Sequence, residues 1–204
     1  MSKENIAQWE ERYAYEGYLF GTKPNAFLER EAHRLAPGSD VLCIADGEGR
    51  NSTFLAGLGH RVHAVDASER GLAKARALAA ERGVEVRFEH ADLEEWDWPV
   101  AAYDAVVGIF FQFTDPAGRA RMFGQMEAAL RPGGILLIEG YGPRQLEYGT
   151  GGPKALDHLY TVAELAGAFP ALTVEHLAEY DAVLDEGPRH QGMSALVDLV
   201  AVRP

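Results

Sequence analysis

The segment VLCIADGEGRN at Val41–Asn51, followed by RVHAVDAS at Arg61–Ser68, constrains the fold more than any other part of this chain. An apolar run enters a glycine turn, a helix-length stretch follows, and a second apolar run ends on Asp66. In doubly wound sheets such glycines let a ligand approach the backbone at a strand's carboxyl end, and an acid about 20 positions on accepts ribose hydroxyls. Asp66 lies 19 positions after Gly47. Glycine turns are common to many β–turn–α–β units, so the pairing of Gly47 and Gly49 with Asp66 is what points to a nucleoside.

The same loop discriminates between nucleosides. A dinucleotide loop reads G-x-G-x-x-G, its third glycine allowing close helix–strand packing below a pyrophosphate; here Ser52 holds that place. Asp46 and Glu48 flank the glycines, and a pyrophosphate would meet like charge there. S-adenosylmethionine keeps the ribose, carries no phosphate and brings positive charge, so the loop favours it over NAD.

The chain has 204 residues, enough for one substantial core, and one domain is expected over 1–204. The formal net charge is −12 with no long basic run, which disfavours a nucleic-acid partner, since counterion release at phosphates needs clustered cations. No signal segment opens the sequence and no apolar run approaches the roughly 20 residues of a membrane span, so a cytoplasmic protein without a membrane partner is expected. Monomer and homodimer both stay open. Cys43, the single cysteine, sits in an apolar run and reads as a buried small hydrophobe. The seven histidines form no H-E-x-x-H or similar spacing, so no metal is expected.

From about position 40 strand-like and helix-like stretches alternate, which predicts an α/β fold. Strands are expected at Asp40–Ala45, Arg61–Asp66, Glu85–His90, Tyr103–Ile109, Ile135–Tyr141, Thr173–Tyr180 and Ser194–Val202. Helices are expected at Asn51–Leu58, Glu69–Arg82, Pro116–Leu130 and Val162–Phe169, with Gly59, Gly83 and Arg131-Pro132-Gly133-Gly134 as stops. The last two strands lack a helix between them and must pair antiparallel or lie apart. The expected architecture is a Rossmann-like, doubly wound, seven-stranded sheet, mostly parallel with an antiparallel carboxyl-terminal strand and helices on both faces. Residues 1–35 are dense in Trp and Tyr and broken by Gly17, Gly21 and Pro24. They form either an aromatic flap that stabilises the core of residues 36–204 or a lid over the ligand.

The glycine loop, Asp66, HADL at His90–Leu93, YDAVVGIF at Tyr103–Phe110 and the RPGG turn before ILLIEGY together resemble class I S-adenosylmethionine-dependent methyltransferases. W-x-x-R-Y at Trp9–Tyr13, YLFGTKPNAFL, and YGTGGPK at Tyr148–Lys154 are similar to the small bacterial group related to tellurite-resistance and thiopurine methyltransferases. The resemblance implies S-adenosylmethionine as cofactor and S-adenosylhomocysteine as product. The first motif of that class usually carries an acid where this chain has Cys43, so either Asp46 substitutes for it or the methionine amino group is held differently.

Residue by residue, the resemblance implies Asp66 at the ribose, although a carboxylate at a strand end also caps the next helix. It implies Asp92 and Leu93 at the adenine, Ala67 lining it, and Gly108 with Ile109 under the methionine portion. Arg12 would clamp the methionine carboxylate, or else pair with Glu10 or Glu16. Asn51 reads as a helix N-cap and a possible ligand at once. Trp9 and Tyr13 would close over the cofactor or pack into the core, and Tyr18 belongs with them as a substrate-side aromatic. After the fourth strand FFQF at Phe110–Phe113 stands where adenine- and glutamine-modifying enzymes carry N/D-P-P-Y/F, so an apolar wall is expected there. The late loops gather Tyr141, Arg144, His158, Tyr160, Glu186, Arg189 and His190, of which Tyr141 and Arg144 are candidate substrate contacts. A thiol or chalcogen oxyanion acceptor needs no protein base; an oxygen or nitrogen acceptor does, and His158 and His190 are the candidates. Rival readings are an NAD-type oxidoreductase and a nucleoside-binding module without catalysis.

Overall fold

The computed structural model describes residues 3–204. Two helices, α1 (Lys3–Arg12) and α2 (Ala26–Glu31), precede the sheet. Then come β1 (Asp40–Ile44), α3 (Arg50–Gly57), β2 (Arg61–Asp66), α4 (Glu69–Arg82), β3 (Arg87–His90) and β4 (Tyr103–Ile109). The second half holds α5 (Pro116–Ala129), β5 (Leu130–Tyr141), α6 (Gln145–Tyr148), α7 (Val162–Ala168), β6 (Thr173–Asp185) and β7 (Gln191–Val202).

The seven strands form one sheet in the order β3-β2-β1-β4-β5-β7-β6. The first five are parallel, and β7 runs antiparallel to both β5 and β6. This is the expected architecture, and the absence of a helix between the last two strands is what forces the antiparallel hairpin. Chain order reverses between β1 and β4, so the carboxyl ends of β1, β2 and β4 open a crevice where ligands bind in such sheets.

Alternation along single strands fills both faces. Leu42 and Ile44 of β1 join Val106, Leu136 and Met126 on one side, whereas Val41 and Cys43 join Phe27, Leu55 and Val107 on the other. Period-two side chains with both sets apolar give the continuous hydrophobic runs of a parallel sheet covered by helices twice. Caps fix the helices: Ser68 accepts from the Gly71 N–H at the start of α4, Gly83 in left-handed conformation (φ 64°) ends it, and Asp115 caps α5.

Most boundaries fall within two residues of expectation, and the larger departures are at three places. The RPGG segment is part of β5 rather than a turn before it, because Tyr103 pairs with Leu130 and the backbones of Gly133 and Gly134 bond to Arg203. The strands β6 and β7 extend to Asp185 and from Gln191, leaving a short turn at 186–190. The loop after β5 contains α6 and a 3-10 turn at Leu156–His158.

Candidate functional site

The crevice at the switch between β1 and β4 is a pocket whose floor comes from three strand ends. β1 supplies Ala45 and Asp46, β2 supplies Asp66, Ala67 and Ser68, and β4 supplies Ile109, Phe110, Phe111 and Phe113. Arg50 and Asn51 of α3, Leu93, and the aromatic residues Trp9, Tyr13 and Phe20 enclose it, and His190 enters from the β6–β7 turn. Ala45 (φ 48°) and Phe110 (φ 54°) both adopt left-handed backbone, one at the end of each switch-point strand. Such conformations cost non-glycine residues about 1–2 kcal/mol and gather at functional sites.

The glycine turn is built by close packing. Gly47 (φ 60°) lies under Tyr13, where a methyl group would come within 2.4 Å of the tyrosine hydroxyl. Gly49 (φ 86°) is the N-cap of α3 and abuts Ala75 of α4, where a methyl group would sit 2.6 Å from the Ala75 Cβ. Gly108 is required by Phe111, whose ring edge would lie 2.5 Å from any added Cβ.

Asp66 accepts from the Gly47 N–H and the Ser68 N–H, each at 2.8 Å. It therefore ties the glycine turn to the start of α4, while Ser68 is the helix cap itself. Asp46 accepts from both the N–H and the hydroxyl of Ser52. Burial pushes the Asp46 carboxyl from 3.8 up to about 7, with the charge of Asp66 adding to the rise. Burial likewise raises Asp66 to about 6 against its two backbone donors. Two carboxylates that ionise with difficulty are suited to a ligand that brings hydroxyl donors and positive charge.

Glu48 behaves differently from its expected role. It is buried and turned away from the pocket: one oxygen accepts from the Leu19 and Phe20 N–H groups, and the other meets the Lys74 ammonium at 2.8 Å. Its charge is neutralised there, so the acidity of the pocket rests on Asp46 and Asp66. Arg50, which lines the pocket, pairs with Glu186 at 2.7 Å.

Of the other sequence candidates, Trp9, Tyr13, Asn51, Ala67, Leu93, Ile109 and Phe110 are brought to the pocket. Asn51 is not an N-cap, since α3 starts one residue earlier with Gly49 as cap; the Asn51 Oδ1 instead accepts from the Asn25 N–H at 2.9 Å. Arg12 stays exposed at the end of α1, its guanidinium 4.7 Å from the Trp9 ring centre, and does not line the pocket. Tyr18 donates to the Lys74 carbonyl, and Asp92 accepts from the Glu94 N–H outside the lining. Tyr141 is buried behind the wall with its ring 4.6 Å from Phe110. Arg144 is exposed and paired with Asp181 at 2.6 Å, because α6 carries it to the outer side of the hairpin. His158 lies outside the lining, whereas His190 is part of it.

The individual lining residues not singled out beforehand are Phe20, Ala45, Arg50 and Ser68. Arg50 sits inside the glycine motif and was legible from its position alone. Phe111 and Phe113 belong to the expected apolar wall.

The fold and the pocket define a doubly wound α/β domain with an acidic cleft at the switch point of its sheet. Residues 41–134 match the family described as a methyltransferase domain. A probable S-adenosylmethionine-dependent methyltransferase of Mycolicibacterium smegmatis is 32% identical over 149 residues, which cover 72% of this chain and 54% of that protein. TehB from Haemophilus influenzae superposes with a TM-score of 0.74 at 17% identity, over 98% of this chain and 67% of that one. A SAM-dependent methyltransferase from Methanosarcina mazei does so at 0.70 and 17% identity, over 89% and 98%. These structural likenesses are of fold. Over residues 41–134 the chain is similar to methyltransferase domains, and over 72% of its length to that probable S-adenosylmethionine-dependent methyltransferase of Mycolicibacterium smegmatis. It spans about half the length of the curated relatives it matches. Among the described residues no helix is long and apolar enough to cross a membrane.

Proposed function

We propose that the protein transfers the methyl group of S-adenosylmethionine to a small molecule held in the aromatic part of the pocket. The observation that carries this reading is the pairing of the acidic floor, Asp46 and Asp66, with the ring wall of Phe20, Phe110, Phe111 and Phe113 in one crevice. Asp66 keeps lone pairs for ribose hydroxyls beside its two backbone donors. Asp46 offers a carboxylate to the methionine ammonium. When bound, the cofactor supplies an electrophilic methyl on a sulfonium. The ring wall excludes water around that centre, and a low-dielectric surrounding favours the loss of positive charge as the methyl departs. Positioning the acceptor within about 3–3.5 Å of the methyl supplies much of the rate.

Thermal denaturation with S-adenosylhomocysteine and with NAD tests the reading. Ligand at about 100 times its dissociation constant adds roughly 2.7 kcal/mol, a midpoint rise of about 5–10 °C at this chain length. A rise with S-adenosylhomocysteine alone is expected; a rise with NAD alone overturns the reading. Transfer of labelled methyl to thiols, selenite, tellurite and phenols then separates an enzyme from a nucleoside-binding module.

A further inference from the structure

Resting on that reading, we propose that His190 is the general base of the transfer and that the acceptor is a flat molecule bearing a weakly acidic hydroxyl, a phenol or enol. The His190 ring is buried in the pocket wall, 4.5 Å from the Phe20 ring centre and 4.4 Å from that of Phe110. Its Nδ1 is fully buried without a hydrogen bond and lies 3.9 Å from the Glu186 carboxylate. Nε2 is not among the fully buried, unpartnered nitrogens, and with His190 in the pocket lining it is the ring nitrogen assigned here to the acceptor.

The turn that carries His190 is held from several directions. The Arg189 N–H donates to the Leu19 carbonyl, and the Glu186 N–H donates to the His190 carbonyl. Gly187 (φ 97°) lies so close to the Phe20–Gly21 backbone that a side chain there would overlap it. Glu186 in turn accepts from Arg50 and from the buried Asn25 amide and Ala26 N–H. His190 thus occupies a built position rather than a surface loop.

The charges around the ring suit a proton acceptor. Glu186 faces it from the same turn, Arg50 lies across from it on α3 and the Tyr141 ring packs edge-on from β5, while Phe20 and Phe110 are uncharged. Burial lowers the His190 pKa, with Arg50 adding to this and Glu186 opposing it, so the ring is neutral at pH 7 and keeps a lone pair. Burial opposes ionisation of Glu186, but His190 and Arg50 outweigh it and hold that carboxyl at about 2. Glu186 is therefore an anion throughout, placed to stabilise the imidazolium once a proton arrives.

A thiol or chalcogen oxyanion supplies its own anion near neutral pH, whereas a phenol, with a pKa of about 10, does not. The ring faces around His190 match a flat acceptor. In the step assigned here the acceptor O–H bond breaks, its electron pair stays on oxygen, and the proton passes to His190 Nε2. The oxygen is left as the nucleophile, and His190 later releases the proton to solvent.

The test uses the S-adenosylhomocysteine complex of the wild type and of His190→Gln, with 4-nitrophenol as a probe whose ionisation is read by visible absorbance. The bound probe should ionise at least one pH unit lower in the wild type. Equal midpoints, or failure of the probe to bind the wild-type complex, overturn the assignment. With labelled donor and phenols, kcat should fall about 100- to 10,000-fold in His190→Gln, with S-adenosylhomocysteine affinity within twofold. An unchanged kcat, or transfer confined to thiols and tellurite, also overturns it. His190→Asn replaces the glutamine variant if that one does not fold. No thermal shift of the wild type with S-adenosylhomocysteine would bring down the methyltransferase reading itself, and this assignment with it, before any substitution is made.

Discussion

Ser52 donates twice to Asp46, from its backbone N–H at 3.2 Å and from its hydroxyl, so the residue in the third-glycine position of a dinucleotide loop holds the pocket acid in place. Removing the hydroxyl in Ser52→Ala takes away one bond to the ionised form, worth about 1.5 kcal/mol, and should lower S-adenosylhomocysteine affinity about tenfold at pH 7. Ser52→Gly restores G-x-G-x-x-G yet should lose affinity equally and gain no NAD binding, because Asp46 still faces the turn. Calorimetry showing a gain in NAD binding would overturn this account of the loop.

The buried acids also set a pH dependence. Burial raises Asp46 to about 7 and Asp66 to about 6, so between the ordinary aspartate value of 3.8 and these values the folded chain holds protons that the unfolded chain releases. Stability of the ligand-free protein should fall as pH climbs from about 4 to 7, by up to about 1.4 kcal/mol per pH unit for each group. Glu186, lowered to about 2, acts in the opposite direction but only below its ordinary value of 4.5. Urea titrations at pH 5 and pH 8 should show a smaller loss for Asp46→Asn than for the wild type; identical losses would remove Asp46 as the cause.

Asp66→Ala should weaken S-adenosylhomocysteine by roughly tenfold to a thousandfold, the worth of one or two charge-assisted bonds to ribose hydroxyls at about 1.5–3 kcal/mol each. The same change strips the Gly47 and Ser68 N–H groups of their acceptor, so the ligand-free protein should melt earlier too. Asp66→Asn keeps one acceptor oxygen and should separate the two effects: a smaller stability loss with most of the affinity loss. Unchanged affinity in either variant would sink the ribose role.

The sheet was legible because its information is local. Apolar runs such as Val41–Ile44 and Tyr103–Ile109 announce covered strands, and missing crossover chain before β7 announces the hairpin. Asp66 and the FFQF wall were legible for the same reason: strand ends in an α/β sheet point at the switch. Side-chain direction in left-handed turns has no such period, and Glu48, expected to face the ligand, turns inward to Leu19 and Lys74. Partners distant in sequence were equally hidden. Arg50 and Glu186 are 136 positions apart, and only the folded hairpin separates His190, in the wall, from His158, outside it.

Glu48 straps the amino-terminal segment to the glycine loop through buried bonds to Leu19 and Phe20. Glu48→Ala leaves those N–H groups without their acceptor and Lys74 without its carboxylate partner, though still bonded to the Tyr15 and Gly17 carbonyls, and should cost about 1–3 kcal/mol. Glu48→Gln retains an acceptor for the backbone and should cost less. Hydrogen exchange at the Leu19 and Phe20 amides is the direct readout: acceleration in the alanine variant is expected, and unchanged protection there would show that the strap does not hold the segment.

Tyr13 and Gly47 offer the sharpest test of how that segment sits on the loop. The tyrosine ring lies over both Gly47 and Gly71, and a methyl group on Gly47 would fall 2.4 Å from the hydroxyl and 3.2 Å from the ring carbon that bears it. Gly47→Ala therefore carries two costs, about 1–2 kcal/mol for a left-handed alanine and about 1–3 kcal/mol for the overlap with Tyr13. Only the second depends on the tyrosine. In the Tyr13→Ala background the Gly47→Ala change should cost about 1–2 kcal/mol, so the double-mutant cycle should return a coupling of about 1–3 kcal/mol. Additive losses, with no coupling, would mean that Tyr13 does not rest on the glycine turn in solution and that the amino-terminal segment leaves the pocket open.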